Sequence, residues 1–263
     1  MSRKQLKVNT HAVSTLVIAL IIIIVVGSVV AVVVASVLLG VWKPSGQMVG
    51  SGNLATEEKS FTDFTIVKVG WGFEVEINQS DSYSIDITAD DNMFDYIEVS
   101  QTGETLTIGL KWGYSYQDVT LRAEITMPNL SDLWLSGGTH GTLGNPSSHC
   151  LVVFLSGGSS LTGDFTTDEC AHFYLSEGSH LTGLDGAVNR AFTINATGGS
   201  HLDLSDFHAH NVIVNLSGGS HATINLDGRL DGDVSGGSQL KYIGNPTTVD
   251  VNTSGGSTVE KIG

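Results

Sequence analysis

The chain has 263 residues, with 12 Lys and Arg against 27 Asp and Glu and a formal net charge of −15. That balance excludes nucleic acid as a partner, because such binding is driven by neutralising phosphates with Lys and Arg. It suits a surface that meets salt or cations, and the length suits one core-bearing domain.

Residues 1–14 carry Arg3, Lys4 and Lys7 and read as a cytoplasmic tail. Thr15 to Val41 follows, 27 residues without a charge and dominated by Ile, Val, Leu and Ala. A helix of that length reaches roughly 40 Å, so residues 15–41 read as a transmembrane α-helix. The stretch is too long for the apolar part of a cleaved secretory signal. Positive flanks stay cytoplasmic and the first acidic residue is Glu57, which implies a single-pass plasma-membrane anchor with the body on the cell exterior. Residues 42–59 are small and polar without periodicity and read as a flexible linker. Beyond Lys43, eight Lys or Arg face all 27 acidic residues, a net of −19.

Residues 60–130 alternate apolar and polar side chains in "FEVEINQ", "SYSIDIT", "TLTIGL" and "DVTLRAEITM". Turn signals such as Asp90-Asp91-Asn92 and Thr102-Gly103 separate them, so they read as strands. No long amphipathic helix follows residue 43.

Residues 131–263 repeat. Ser136-Gly-Gly-Thr139, Ser156-Gly-Gly-Ser159, Ser176-Glu-Gly-Ser179, Thr197-Gly-Gly-Ser200, Ser217-Gly-Gly-Ser220, Ser235-Gly-Gly-Ser238 and Ser254-Gly-Gly-Ser257 begin 20, 20, 21, 20, 18 and 19 residues apart. Three residues before each start stand Leu133, Val153, Phe173, Ile194, Val214, Gly232 and Val251. One before stand Leu135, Leu155, Leu175, Ala196, Leu216, Val234 and Thr253. Between them lie Trp134, Phe154 and Tyr174, then Asn195, Asn215, Asp233 and Asn252, on the opposite side of a strand. Two short strands and a glycine corner in about 20 residues describe one coil of a right-handed parallel β-helix, whose equivalent residues stack about 4.8 Å apart. An antiparallel meander with Gly-Gly hairpins is the rival reading. The fold class is therefore all-β, a solenoid spanning residues 60–263 behind the N-terminal helix.

The same spacing nominates sites. His140, His180, His201 and His221 each follow a corner, and three of them fall on consecutive coils. Neighbouring imidazoles could share a metal, but a straight ladder does not converge on one point as a zinc site does. No metal and no cofactor is expected. Asp164, Asp168, Asp185, Asp203 and Asp206 offer carboxylates for polysaccharide cleavage, yet acid is the default surface here and the serines belong to turns. Asn78, Asn129, Asn195, Asn215 and Asn252 each begin a glycosylation sequon. Cys150 and Cys170 each lie 14 residues after a corner start, so they occupy one position on adjacent coils. Strand spacing fits the 4.4–6.8 Å Cα separation of a disulfide, and an oxidising exterior permits the bond.

Two family resemblances follow. "HAVSTLVIALIIIIVV" resembles the class III signal of archaeal pilin-like surface proteins, which implies cleavage between Ala12 and Val13 with the apolar helix retained. That family has Lys or Arg before the Ala, where this chain has His11. Residues 60–262 resemble the head GIN domain family of auto-transporter adhesins. The likeness rests on the strand pair from Phe61 to Asp81, the junction from Ile125 to Gly137, and the ending "VSGGSQLKYIGNPTTVDVNTSGGSTVEKI". It implies a β-helical surface domain and names no ligand. The reading is a non-enzymatic adhesin-like display module for an unknown surface ligand, glycan or protein. A self-assembling envelope or filament component and a carbohydrate-active β-helix enzyme are the alternatives.

Overall fold

The computed structural model describes residues 46–263. The cytoplasmic tail, the apolar helix at 15–41 and the Ala12–Val13 junction lie outside the described residues. Among the described residues no helix is long and apolar enough to cross a membrane.

The strands, in chain order, begin with β1 (Gly46–Val49), β2 (Leu54–Glu58), β3 (Ile66–Val69), β4 (Glu74–Gln79) and β5 (Ser84–Asp90). After a single 3₁₀ turn at Phe94–Tyr96 come β6 (Ile97–Thr102), β7 (Thr105–Leu110), β8 (Tyr114–Gln117), β9 (Leu121–Met127) and β10 (Asp132–Leu135). Four long strands follow: β11 (His140–Leu155), β12 (Ser160–Leu175), β13 (His180–Ala196) and β14 (His201–Leu216). The chain closes with β15 (His221–Leu226), β16 (Arg229–Val234), β17 (Gln239–Ile243), β18 (Thr248–Thr253) and β19 (Thr258–Lys261). β1 and β8 pair as a separate two-stranded sheet. Contacts divide the described residues into two units, a small one of residues 46–48 with Trp112–Ser115 and a large one holding Val49–Lys111 and Tyr116–Gly263.

The large unit is a β-solenoid whose coils stack in parallel register. Its first face runs β9, β4, the first halves of β11 to β14, then β15, β17 and β19. Its second face runs β7, β3, β10, the second halves of β11 to β14, then β16 and β18. The 16- and 17-residue strands belong to both faces because they pass the second bend of each coil without losing their pairing. The meander is thus excluded for the repeats, whereas the N-terminal pairs β2–β5, β5–β9 and β6–β7 are antiparallel.

Alternation explains why these residues are strands. Val67, Leu133, Val153, Phe173, Ile194 and Val214 are in register and fully buried, at about 1.5–3 kcal/mol for each side chain withdrawn from water. Phe165, Phe173, Phe192 and Phe207 fill the middle with tilted, edge-on and stacked ring contacts. At the corners the last Ser or Thr turns inward and its hydroxyl is satisfied by backbone. Thr139 Oγ1 donates to the Ser136 carbonyl at 2.7 Å, Ser200 Oγ to Thr197 at 2.7 Å and Ser220 Oγ to Ser217 at 2.8 Å. These buried serines are capping groups, which accounts for their recurrence without any chemistry.

The expected linker needs correction, because part of it is strand. β2 pairs with β5, and the Gly50–Asn53 loop before it is clasped by Asp90. The Asp90 carboxylate is 1 % exposed and accepts the Thr120 and Gly52 amides, each at 2.7 Å. Those two bonds, Thr120 first, hold its carboxyl below the usual range. β2 escaped the sequence reading because four of its five side chains are exposed, so no apolar alternation marks it.

Candidate functional site

Two outward faces compete as the working surface. On the first face, register places Arg122, Glu74, His140, Ser160, His180, His201, His221, Gln239 and Thr258 in one column. All four column histidines are exposed. His140 Nδ1 lies 2.7 Å from Ser160 Oγ, while the ring centroids of His180–His201 and His201–His221 are 6.3 and 6.4 Å apart. The His180, His201 and His221 rings are neighbours that tilt rather than stack. The next column outward is Glu124, Glu76, Thr142 and Thr162, with Asp203, Thr223, Lys241 and Glu260 further along. At the β4 and β9 end the face dips into a depression of about 440 Å³ lined by Glu74, Glu76, Arg122, Glu124, His140 and Thr142. Arg122 Nε pairs with Glu74 Oε2 there at 2.9 Å. Sequence reading missed Arg122 and Glu74 because the column continues into strands that lack the serine-glycine punctuation.

The second face carries the aromatic and Asn ladder. Lys68 Nζ sits 4.4 Å over the Trp134 ring, Trp134 stacks on Phe154 at 3.7 Å and Phe154 on Tyr174 at 4.7 Å. Tyr174 is in register with Asn195, whose Oδ1 accepts from Asn215 Nδ2 at 3.0 Å, and Asn252 Nδ2 donates to Asp233 Oδ1 at 3.1 Å. The stack is capped by an ammonium at one end, and its inner π-faces pack on one another. Partial burial pushes the Tyr174 hydroxyl up in pKa. This ladder runs along the second face as a half-buried spine.

Cys150 and Cys170 are joined, in register, with Cα atoms 4.6 Å apart. The histidine ladder does not converge: among the described residues, the three-residue group of His, Cys or carboxylate ligands whose atoms fall within 4.8 Å of one another is Cys150, Cys170 and His172. Burial pushes the His172 imidazole down in pKa. The pairing of Cys150 with Cys170 was readable from spacing, but His172 lies outside the repeated His column and had no periodic signal. The second bend also gathers exposed histidine–carboxylate contacts, His149 with Asp168 and Glu169, and His208 and His210 with Asp227.

The sequons part company in the structure. Asn195, Asn215 and Asn252 use their amides along the ladder, and Asn78 Nδ2 donates to Glu76 while its Oδ1 packs on Gly144. Asn129 is exposed in the loop between β9 and β10.

The fold is shared with solved structures of low sequence identity. A structure described as a "putative adhesin" from Bacteroides fragilis superposes with a TM-score of 0.67 at 19% identity, covering 82% of this chain and 100% of that one. One described as a "putative lipid binding protein" from Parabacteroides distasonis gives 0.66 at 18%, with 82% and 100% covered. A "putative adhesin" from Parabacteroides merdae gives 0.60 at 19%, with 82% and 99% covered. Among curated proteins none matches the sequence. The family model described as "Putative auto-transporter adhesin, head GIN domain" matches residues 63–246.

Proposed function

The chain belongs to the head GIN domain family, and from that premise we propose that it is a non-enzymatic, membrane-anchored display module that binds a surface ligand along its first face. One observation carries this reading: an exposed column of unstacked imidazoles and hydroxyls repeats from coil to coil. A repeated array of hydrogen-bond donors and acceptors suits a repetitive, polyhydroxylated ligand, and a glycan is the class that meets it. The near absence of Lys and Arg on this face argues against a polyanion. The uncharged stretch at 15–41 supplies the anchor, with the N-terminus cytoplasmic and the solenoid outside. Asn129, free of ladder bonds, is the sequon that this reading favours for modification.

The test is a glycan-array screen of the full chain in detergent beside a His180→Gln, His201→Gln, His221→Gln variant. Losing three hydrogen-bonding contacts should weaken binding roughly 10–100-fold, while the melting temperature stays unaltered because all three side chains face solvent. An unchanged binding profile in the triple variant would move the ligand to another surface. Protease added to intact cells should remove the solenoid and spare an N-terminal tag; digestion of that tag would reverse the topology.

A further inference from the structure

The second face holds a group of side chains that neither the solenoid nor the ligand column requires. Cys150 and Cys170 face each other across β11 and β12, and His172 stands two residues beyond Cys170 on the same side of β12. Val152 and Thr193 flank His172 in register, leaving the imidazole half-buried. It has no hydrogen-bond partner among the described residues. One ligand atom from each of the three residues lies within 4.8 Å of the other two.

We propose that Cys150, Cys170 and His172 form a latent metal site, closed while the sulfurs are joined and opened by reduction, for a thiophilic ion such as Zn²⁺. Metal–sulfur bonds of about 2.3 Å and metal–nitrogen bonds of about 2.0–2.1 Å in a tetrahedron place ligand atoms roughly 3.6–3.8 Å apart. The observed cluster needs to contract by only about 1 Å on its widest edge, within reach of side-chain rotation. The two sulfurs must separate, which requires the bond between them to break. Two Cys and one His match the donor set that zinc prefers over Ca²⁺ or Mg²⁺.

The chemistry balances with an external dithiol as reductant. Its two S–H bonds are lost and its own disulfide forms, while Cys150 and Cys170 each gain a proton as their S–S bond breaks. The metal then displaces both thiol protons and binds the thiolates and the neutral imidazole. The bond that staples two coils thereby becomes a chelate that spans the same two strands. The site lies on the face opposite the ligand column and stands or falls independently of it.

The experiment uses the full chain in detergent, reduced with a dithiol, freed of it without air, and titrated with Cd²⁺ against a competing chelator. A thiolate-to-metal charge-transfer band should saturate at one equivalent in the reduced protein and be missing from the oxidised protein. Cys150→Ser with Cys170→Ser should abolish the band, and His172→Ala should weaken affinity roughly 10–100-fold. Far-ultraviolet circular dichroism reports whether reduction preserves the strands. Three results would each overturn the proposal: no one-equivalent band, equal affinity in His172→Ala, or strands lost on reduction and not restored by Cd²⁺.

Discussion

Each coil turns twice, and the two turns differ in how regularly they are made. The first bend is fixed by backbone angles: the first corner positions, Gly137, Gly157, Gly198, Gly218, Gly236 and Gly255, sit at φ of 60–66°. The second glycine's amide donates to the next coil's corner, as in Gly138 to Gly157 at 2.9 Å and Gly219 to Gly236 at 2.9 Å. The second bend has no common motif. Its register slips between Gly144 and Ser147, Leu161 and Gly163, Val188 and Ala191, and Leu204 and His208. There the coils are joined by side chains, through the disulfide and the histidine–carboxylate pairs. A bend with one repeated set of dihedrals must reuse the same residue, whereas the second bend is solved differently from coil to coil, by glycines at positive φ such as Gly163 and Gly186 as well as by cross-links.

The sharpest way to break the comparison is Gly186→Ala. Gly186 has φ +127°, and an added Cβ would sit 1.8 Å from the Phe165 carbonyl oxygen. Neither backbone can yield without parting β12 from β13, so a loss above about 4 kcal/mol is expected in urea denaturation. Tolerance of alanine there would mean the second bend is as plastic as its sequence. Removing the staple comes next: Cys150→Ser with Cys170→Ser opens a loop closed across 20 residues and should cost about 3 kcal/mol.

At the first bend the effects are smaller. Gly157→Ala places a Cβ 3.0 Å from the Gly137 amide nitrogen at φ +60°, and about 1–2 kcal/mol should be lost. The corner column contains two natural exceptions, Trp71 at φ 68° and Glu177 at φ 55°. Glu177→Gly should therefore stabilise the protein by about 0.5–1 kcal/mol. A destabilised Glu177→Gly would show that its side chain, which extends over Gly157, contributes more than its strained backbone costs.

This difference also decides what was legible in the sequence. The coil length, the stacked corners, the buried Val153–Phe173–Ile194 ladder and the pairing of Cys150 with Cys170 could be read because they recur at the repeat spacing. β2 could not, since exposed Thr56, Glu57 and Glu58 hide it, and neither could the antiparallel direction of β5 against β9, because the alternation that marks both as strands fits either direction. The His180–His221 column was legible as a column, but its unstacked geometry was not. The self-capped aromatic stack depends on Lys68, which lies 66 residues before Trp134 in the chain and joins it through register alone. Residues that depart from the repeat, His172 above all, become visible only in three dimensions.

The smallest expected effect concerns the exposed pairs of the second bend. Asp227 Oδ1 lies 2.7 Å from His210 Nδ1, and Oδ2 lies 3.5 Å from His208 Nε2. The hydrogen bond from His210, followed by the attraction of both imidazoles, holds the Asp227 carboxyl below its ordinary value. A carboxyl depressed in the folded state lends stability above its unfolded value and loses that stability as pH falls through the folded one. The three side chains are 52–56% exposed, so salt screens the attraction and the gain is small. Asp227→Asn should lower the melting temperature at pH 5 in low salt, and the gap should shrink as pH falls through the folded-state value of Asp227. Added salt should close the gap at pH 5. A gap that survives both acid and salt would mean Asp227 acts through shape or backbone bonding, and the second bend would then resemble the first more than its side chains imply.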